Sequence, residues 1–258
     1  MVPASSGVLD LLVELLPPER VAGLPEQALI YSKPLPAGHA LLSRPRFEKY
    51  DGESVLALDP DLVVAQAWQS HETTARLREA GVNVQLLEAA NDWATLRTRI
   101  TQLGAWLHEP ARAAELVART DARVDALLAL PASNLTALAY SNYGGHGRVA
   151  AAETTSHEIL RFAGLRDLAA EAGLVDHPSF SFEQLLAADP DVLVVGRADS
   201  GAAGSTLETL HSDPRLAELR AVREGRVLAL PSWLNTTTSH HMLSAAEELR
   251  AQLDALPR

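Results

Sequence analysis

Aromatic side chains are scarce in this sequence, and several of them lie where a predicted strand ends. Aromatic residues make up 5% of the 258-residue chain. Six residues lie at or just beyond the carboxyl ends of predicted strands: Tyr31, Trp68, Tyr140, Tyr143, His146 and Trp233. Ligands of α/β sheets bind beyond those strand ends, and aromatic rings offer broad, rigid, apolar contact. The pattern predicts a site for a broad ligand such as a macrocycle or a metal chelate.

Cationic and metal-ligating side chains near the same strand ends extend this prediction. Arg197 and Arg148 could meet an anionic ligand, because guanidinium suits carboxylate and chelate oxygens. A tyrosine hydroxyl can also ligate haem iron, and Tyr31, Tyr140 and Tyr143 remain open for that role. His240 and His241 are adjacent on a predicted helix, so their side chains point in different directions and do not chelate one metal ion together. We therefore predict no direct metal site, and expect His241 to contact the ligand.

Sequence signatures of catalysis are missing. The chain has no GxSxG elbow, no Walker loop and no GxGxxG after a strand. It also has no cysteine, which excludes thiol catalysis, zinc-thiolate sites and disulfides. We predict a binding protein without a resident cofactor. A direct metal-ion binder and an enzyme acting in the same cleft stay as alternatives.

A sequence segment that occurs twice, which we call the repeated phrase, indicates which elements position these residues. Residues 50–68 read YDGESVLALDPDLVVAQAW and residues 180–198 read FSFEQLLAADPDVLVVGRA, with seven identical positions at an offset of 130. Each copy predicts a short helix, a DPD turn and a buried strand. Two distant copies predict two similar lobes rather than an array of small repeats, with a ligand cleft between them.

The remaining periodicity completes the predicted architecture. Apolar runs that alternate with helical segments predict α/β lobes with central, mostly parallel sheets, Rossmann-like in plan. Within them, residues 28–31 are expected to form an early strand and residues 141–148 (SNYGGHGR) a loop. Residues 110–130 lack glycine and predict one helix of roughly 30 Å. The expected domains are residues 1–108, a rigid connecting helix at 109–131, and residues 132–258.

These phrases together resemble the substrate-binding proteins of ABC importers for cobalamin, iron-siderophores or haem. The phrases SHEILRFAGLRDLA (156–169) and DPRLAELRAVREGRVLALPSW (213–233) are similar to that family as well. The resemblance implies that Glu53 and Glu183, one per lobe, dock onto arginines of a membrane permease. It also places Phe47 near the cleft. Both glutamates lie in the first turn of their predicted helices, which supports a shared docking role. The helix dipole alone also favours an acidic residue at that position.

Composition limits the partners and location. The net charge of −11 argues against nucleic-acid binding, and no apolar run approaches the roughly 18–20 residues of a membrane span. The sequence shows no leader, and Met1 could replace one that was removed. We expect a monomer in the periplasm or on the outer face of a cell membrane. Its ligand would be a corrinoid or an iron chelate, with haem behind them.

Overall fold

The structure, a computed structural model, describes residues 1–143, 146–197 and 206–256. The chain divides into two compact units. Unit 1 contains residues Met1–Thr120 together with Thr237–His240, and unit 2 contains the described residues of Asp121–Thr236 and from His241 onward. The chain therefore passes from one unit to the other inside a helix, and a four-residue segment near its end belongs to unit 1.

Unit 1 alternates short strands with helices. Its elements are β1 (Val2–Pro3), α1 (Ser6–Leu15), β2 (Leu24–Pro25), α2 (Ala28–Tyr31), β3 (Arg46–Phe47), α3 (Gly52–Leu56), β4 (Leu62–Gln66), α4 (His71–Glu79), β5 (Asn83–Leu87), α5 (Trp93–Trp106) and the first part of α6 (Pro110–Leu128). Strands β1, β4 and β5 form a parallel sheet in that order, and β2 and β3 form a separate parallel pair. Residues 28–31, expected as a strand, form the one-turn helix α2 instead.

The apolar residues of β4 form the centre of the hydrophobic core of unit 1. Val63 and Ala65 are fully buried and pack with residues of β1, α3, α4 and β5. A strand with apolar residues on both faces is typical of a parallel sheet covered by helices on both sides. Ser5 caps α1 by accepting a hydrogen bond from the Val8 amide at 3.3 Å.

Unit 2 repeats this plan with one antiparallel addition. Its elements are the end of α6, β6 (Thr136–Tyr143), β7 (His146–Ala150), α7 (Thr155–Phe162), β8 (Arg166–Asp167), α8 (Leu168–Glu171), α9 (Phe182–Ala188), β9 (Val192–Arg197), α10 (Thr206–Ser212), α11 (Arg220–Arg223), β10 (Val227–Pro231), α12 (Ser232–Asn235) and α13 (Met242–Asp254). The sheet order is β10-β9-β6-β7, and β8 also pairs with β6. All of these pairs are parallel except β6 with β7.

Strand β7 corrects a prediction. Residues 141–148 were expected to form a loop after a short strand, but residues 141–143 continue β6 and residues 146–148 begin β7. The backbone hydrogen bonds of the two strands account for the difference, because pairing with a neighbour stabilises polar residues such as Ser141 and Asn142 in a strand. Residues 144–145 lie outside the described part of the chain.

The two DPD turns have the same backbone conformation. Asp59 and Asp189, the first residues of the two turns, both have positive φ, 47° and 37°. Aspartate tolerates this left-handed conformation better than most residues with a β-carbon. In unit 2 the third residue of the turn, Asp191, accepts hydrogen bonds from the amide and hydroxyl of Thr136 at the start of β6. The repeated phrase therefore ends a helix and fixes the start of a central strand.

Helix α6 lies at the position predicted for a connecting helix. Its 19 residues begin at Pro110, where a proline costs the helix no hydrogen bond. The boundary between the two units falls inside it, after Thr120. Over the described residues, no helix is both long enough and apolar enough to cross a bilayer.

Candidate ligand-binding site

The carboxyl edge of the unit 1 sheet presents Trp68 on a braced turn. Trp68 follows β4 and is 68% exposed. The neighbouring Gln69 is buried; its side-chain oxygen accepts a hydrogen bond from the Gln66 amide, and its side-chain nitrogen donates to the Ala4 carbonyl at 2.7 Å. Ser70 then caps α4 by accepting from the Thr73 amide. Because the turn is tied to two strands and a helix, the exposed indole is held by a fixed backbone.

Helix α2 adds an exposed apolar surface to unit 1. It follows the carboxyl end of β2, and Leu29, Ile30 and Tyr31 are each between 40% and 53% exposed. Leu29 and Ile30 were missed in the sequence analysis, because a strand at residues 28–31 would have turned alternate side chains inward. Isolated exposed apolar residues are ordinary, but three in succession at a strand end favour a ligand contact.

The carboxyl edge of the unit 2 sheet carries Arg197 and Trp233 on neighbouring strand ends. Arg197 ends β9, is exposed, and pairs in register with Pro231 at the end of β10. Trp233 follows in α12, next to Ser232, whose hydroxyl donates to the Arg197 carbonyl at 3.3 Å. The buried ring of His241 meets Trp233 edge-on, with centroids 5.3 Å apart at 87°. His241 therefore orients Trp233 and does not itself face solvent.

Tyr140 lies inside unit 2 rather than at its surface. It is 3% exposed, and its hydroxyl accepts a hydrogen bond from the Asn142 side chain at 3.3 Å. A β-carbon at Gly147 would overlap this hydroxyl, so the glycine lets β7 lie over the ring. Burial also raises the pKa of Tyr140, which opposes the phenolate form that iron ligation needs. The burial of this ring speaks against direct ligand contact by Tyr140, which stays a prediction.

Three further predicted residues have different surroundings. Phe47 is 4% exposed and packs in the unit 1 core with Val55 and Val63, so its ring contributes to that core. His146 is exposed at the start of β7. Tyr143 pairs with His146 through the backbone, and its side chain lies outside the described part of the structure.

The two glutamates of the repeated phrase lie on the surface of their units. Glu53 is exposed in the first turn of α3, which Asp51 caps through the Ser54 amide. Glu183 is exposed in the first turn of α9, which Ser181 caps in a capping box. A hydrogen bond from Ser181 lowers the pKa of Glu183, and its own amide and the charge of Arg215 act in the same direction. A carboxylate with a lowered pKa is ionised at neutral pH.

The two histidines precede α13, which begins at Met242, and do not lie on the helix as predicted. His240 belongs to unit 1, where its ring lies 3.8 Å from a carboxylate oxygen of Glu14, whereas His241 belongs to unit 2 and contacts Trp233. The two rings thus have different neighbours. Among the described residues, no group of three histidine or carboxylate side chains is arranged to hold a metal ion.

A comparison with protein families decides the class of the chain. The family described as periplasmic binding protein matches residues 25–234. The chain belongs to the periplasmic binding protein family. Membership confirms the predicted resemblance, and the mostly parallel α/β sheets confirm the predicted fold class.

Proteins that this chain resembles in sequence or in structure are named for different ligands. A cobalamin-binding protein of Halobacterium salinarum is 31% identical over 146 residues, which are 56% of this chain and 40% of that protein. The chain thus matches less than half of this curated relative's length. The periplasmic haem-binding protein HutB of Vibrio cholerae has a TM-score of 0.84 at 21% identity, covering 98% of this chain and 97% of HutB. A structure titled as an ABC-type Fe³⁺-hydroxamate transport system, from Saccharomonospora viridis, has a TM-score of 0.79 at 22% identity, covering 98% and 92%.

Proposed function

We propose that this chain is the solute-binding protein of an ABC importer and captures cobalamin or an iron-siderophore. The observation that carries the proposal is the exposed Trp68, held on a braced turn at the carboxyl edge of a parallel sheet. Trp68 is 68% exposed, and exposure of its apolar ring to water is unfavourable in free energy. A broad, flat or cage-like ligand that covers the ring would remove this unfavourable contribution. Membership of a solute-binding family supports capture without turnover.

The two units contribute different chemistry to the proposed contact. Unit 1 offers Trp68 and the apolar surface of α2, and unit 2 offers Trp233 with the Arg197 guanidinium on the neighbouring strand end. We propose that each of these strand edges is a ligand-binding surface, with Tyr31 beside the edge of unit 1 and His146 beside the edge of unit 2. Aromatic rings would contact the apolar faces of that ligand, and Arg197 its carboxylate, phosphate or chelate oxygens.

Cobalamin is favoured over haem. The curated cobalamin-binding relative supports a corrinoid, whereas similarity to haem-binding and hydroxamate-binding structures below 25% identity supports the fold alone. Haem held by a tyrosine would need an accessible phenolate. Tyr140 is buried with a raised pKa, whereas Tyr31 is exposed in unit 1.

Delivery of the ligand would use the paired surface glutamates. Glu53 and Glu183 lie at equivalent positions of the repeated phrase, and each is exposed on a capped helix. We propose that they dock onto arginines of the membrane permease. The protein would act as a monomer in the periplasm or on the outer face of the cell membrane.

Isothermal titration calorimetry against cobalamin, a ferric hydroxamate, a ferric catecholate and haem tests ligand capture. Saturable one-to-one binding of one compound, recovered chemically unchanged after dissociation, is the expected result. Chemical conversion of the bound compound would replace the proposal with an enzyme. Absence of binding to all four compounds would refute the proposed ligand classes.

A separate experiment tests docking. In liposomes that contain the cognate permease, Glu53→Ala combined with Glu183→Ala should abolish uptake and leave the calorimetric Kd unchanged. The control is Glu115→Ala with Glu248→Ala, which removes the same charge from one exposed helix position in each unit. Full uptake with the first double variant would refute the docking role and leave ligand capture intact.

A further inference from the structure

The side-chain amide of Gln69 replaces one hydrogen bond of the ladder between β1 and β4. These strands are parallel, with Pro3 opposite Val64, and the Ala4 amide donates to the Val64 carbonyl at 2.9 Å. The even spacing of a parallel ladder would place the next bond between the Gln66 amide and the Ala4 carbonyl. The Gln69 side chain lies between these two groups instead, because it accepts from the Gln66 amide at 2.9 Å and donates to the Ala4 carbonyl at 2.7 Å. One side-chain amide therefore bridges the two strands where their direct pairing ends.

The inserted amide sets the spacing of β1 and β4 at the carboxyl edge of the unit 1 sheet. A direct bond would bring the Gln66 nitrogen and the Ala4 oxygen to about 2.9 Å, whereas an amide group and two hydrogen bonds now lie between them. Ala4, Gln66 and Gln69 are all buried. Without the Gln69 side chain, a buried backbone donor and a buried backbone acceptor would each lose a partner, which is unfavourable in free energy.

The same residue closes the turn that carries Trp68. The Gln69 amide donates to the Gln66 carbonyl at 2.9 Å, which is the bond that closes a four-residue turn, and Trp68 is the third residue of that turn. The Ala67 amide donates to the Leu87 carbonyl at the end of β5 at 3.0 Å. The backbone on both sides of Trp68 is thus fixed, while its ring is 68% exposed.

Gln66, to which the Gln69 side chain is bound, has a further anchor. Its side chain donates to the Thr238 hydroxyl at 3.4 Å. A β-carbon at Gly7 on α1 would overlap this hydroxyl. The next residue, Ser239, is fully buried and donates its hydroxyl proton to the Asp10 carboxylate at 3.1 Å. The end of β4 is therefore held by a segment from the far end of the chain before the turn begins.

We propose that Gln69 is a positioning residue for the ligand contact of Trp68. The inference rests on the function proposed above, in which a ligand covers this indole. A turn that already has its bound conformation loses little freedom when the ligand binds, whereas a mobile turn must be ordered at that moment and weakens the affinity. Gln69 is buried, so it acts on the ligand through Trp68 and not by contact.

Calorimetry of a double-mutant cycle tests the positioning role. Gln69→Met keeps the length of the side chain and removes both of its hydrogen bonds. It should weaken binding about 2- to 12-fold, the range expected when one more rotamer-rich side chain must be ordered on binding. In a Trp68→Ala background the same change should have almost no further effect, because the contact that Gln69 positions is already absent. The matched control is Gln85→Met on β5, which removes a side-chain amide that donates to the Asn83 side chain and should leave the Kd unchanged.

Hydrogen exchange tests the Gln69 bridge without any ligand. The Gln66 amide should be protected in the wild type and exchange faster in Gln69→Met, because its side-chain acceptor is gone. The Ala67 amide, which donates to the Leu87 carbonyl, should stay protected in both proteins. Equal exchange of the Gln66 amide in the two proteins would overturn the proposal.

A pH rescue distinguishes positioning from general damage to the fold. In Gln69→Glu at pH 8, the new carboxylate can accept from the Gln66 amide but cannot donate to the Ala4 carbonyl. The protonated carboxyl group can do both, and burial raises its pKa above the ordinary value of about 4.3. Lowering the pH to about 4.5 should therefore restore the affinity of Gln69→Glu relative to the wild type at the same pH, and should not restore that of Gln69→Met.

The outcomes separate this proposal from the proposed function. Equal weakening by Gln69→Met with and without Trp68 would show general damage and refute positioning. An unchanged Kd in Gln69→Met, while Trp68→Ala weakens binding, would also refute positioning and leave ligand capture intact. An unchanged Kd in Trp68→Ala would refute the contact itself, and the positioning role with it. If Gln69→Met does not fold, the pH rescue of Gln69→Glu decides.

Discussion

Replacing Trp68 by alanine should weaken ligand binding without unfolding the protein. A tryptophan side chain offers about 250 Å² of contact area, and 68% of Trp68 is exposed, which leaves about 170 Å² for a ligand to cover. At about 25 cal/mol per Å², full coverage would contribute about 4 kcal/mol. A ligand that stacks on one face covers half of that area, so the loss on substitution is about 2 kcal/mol, or about 30-fold in Kd.

The assay for this prediction is calorimetry with the compound that saturates the wild-type protein, because a fluorescence signal would itself depend on tryptophan. Thermal unfolding should be nearly unchanged, since substitutions at exposed positions usually alter stability by less than about 0.5 kcal/mol. Trp106→Ala is the matched control. Trp106 ends α5 and lines a cavity of about 610 Å³ beside Leu62 and Asn83, at the amino ends of β4 and β5.

Two results would refute this reasoning. An unchanged Kd in Trp68→Ala would show that the ligand does not cover the exposed indole. Equal weakening by Trp68→Ala and Trp106→Ala would show that loss of either tryptophan acts through the fold rather than through contact at the carboxyl edge.

Two further predictions concern the elements that carry the site. Asp191→Asn removes the charge that pairs with Arg220 at 2.6 Å and should cost about 1–3 kcal/mol in denaturant unfolding at pH 7. Burial raises the pKa of Asp191, but bonds from Thr136 and Arg220 outweigh it and keep the pKa below its usual 3.8. The wild type should therefore lose this stabilisation as the pH falls below about 4, and a variant equal to the wild type at pH 7 would contradict the role. Gly7→Ala should cost about 1–3 kcal/mol by overlap with the Thr238 hydroxyl, and a second change, Thr238→Ala, should restore most of it; no rescue would contradict the close approach.

Local signals in the sequence were sufficient for the repeated phrase. An apolar run after a DPD turn predicts β4 and β9, and the structure has both strands with an aspartate of positive φ before each. Capping at Ser5 and the glycine-free helix α6 are likewise local properties. The conformation of such elements is decided by residues close to them in the sequence, so it can be predicted from the sequence alone.

Errors occurred where distant residues decide the outcome. Tyr140 was expected at a strand end, as Trp68 was, but it lies inside β6 and is buried by residues of other elements. Phe47, which the family resemblance places near the cleft, is also buried. The β6–β7 hairpin depends on pairing that a glycine-rich stretch does not specify. The bond between Asp10 and Ser239 spans nearly the whole chain, so no spacing rule could predict it.

The most direct test of the central claim is a crystal structure of the protein with the compound that saturates it in calorimetry. The ligand is expected to contact the α2 surface of unit 1 and to cover the indole of Trp68. A ligand bound elsewhere, such as in the cavity beside Trp106, with Trp68 still in solvent would contradict the proposed binding surface.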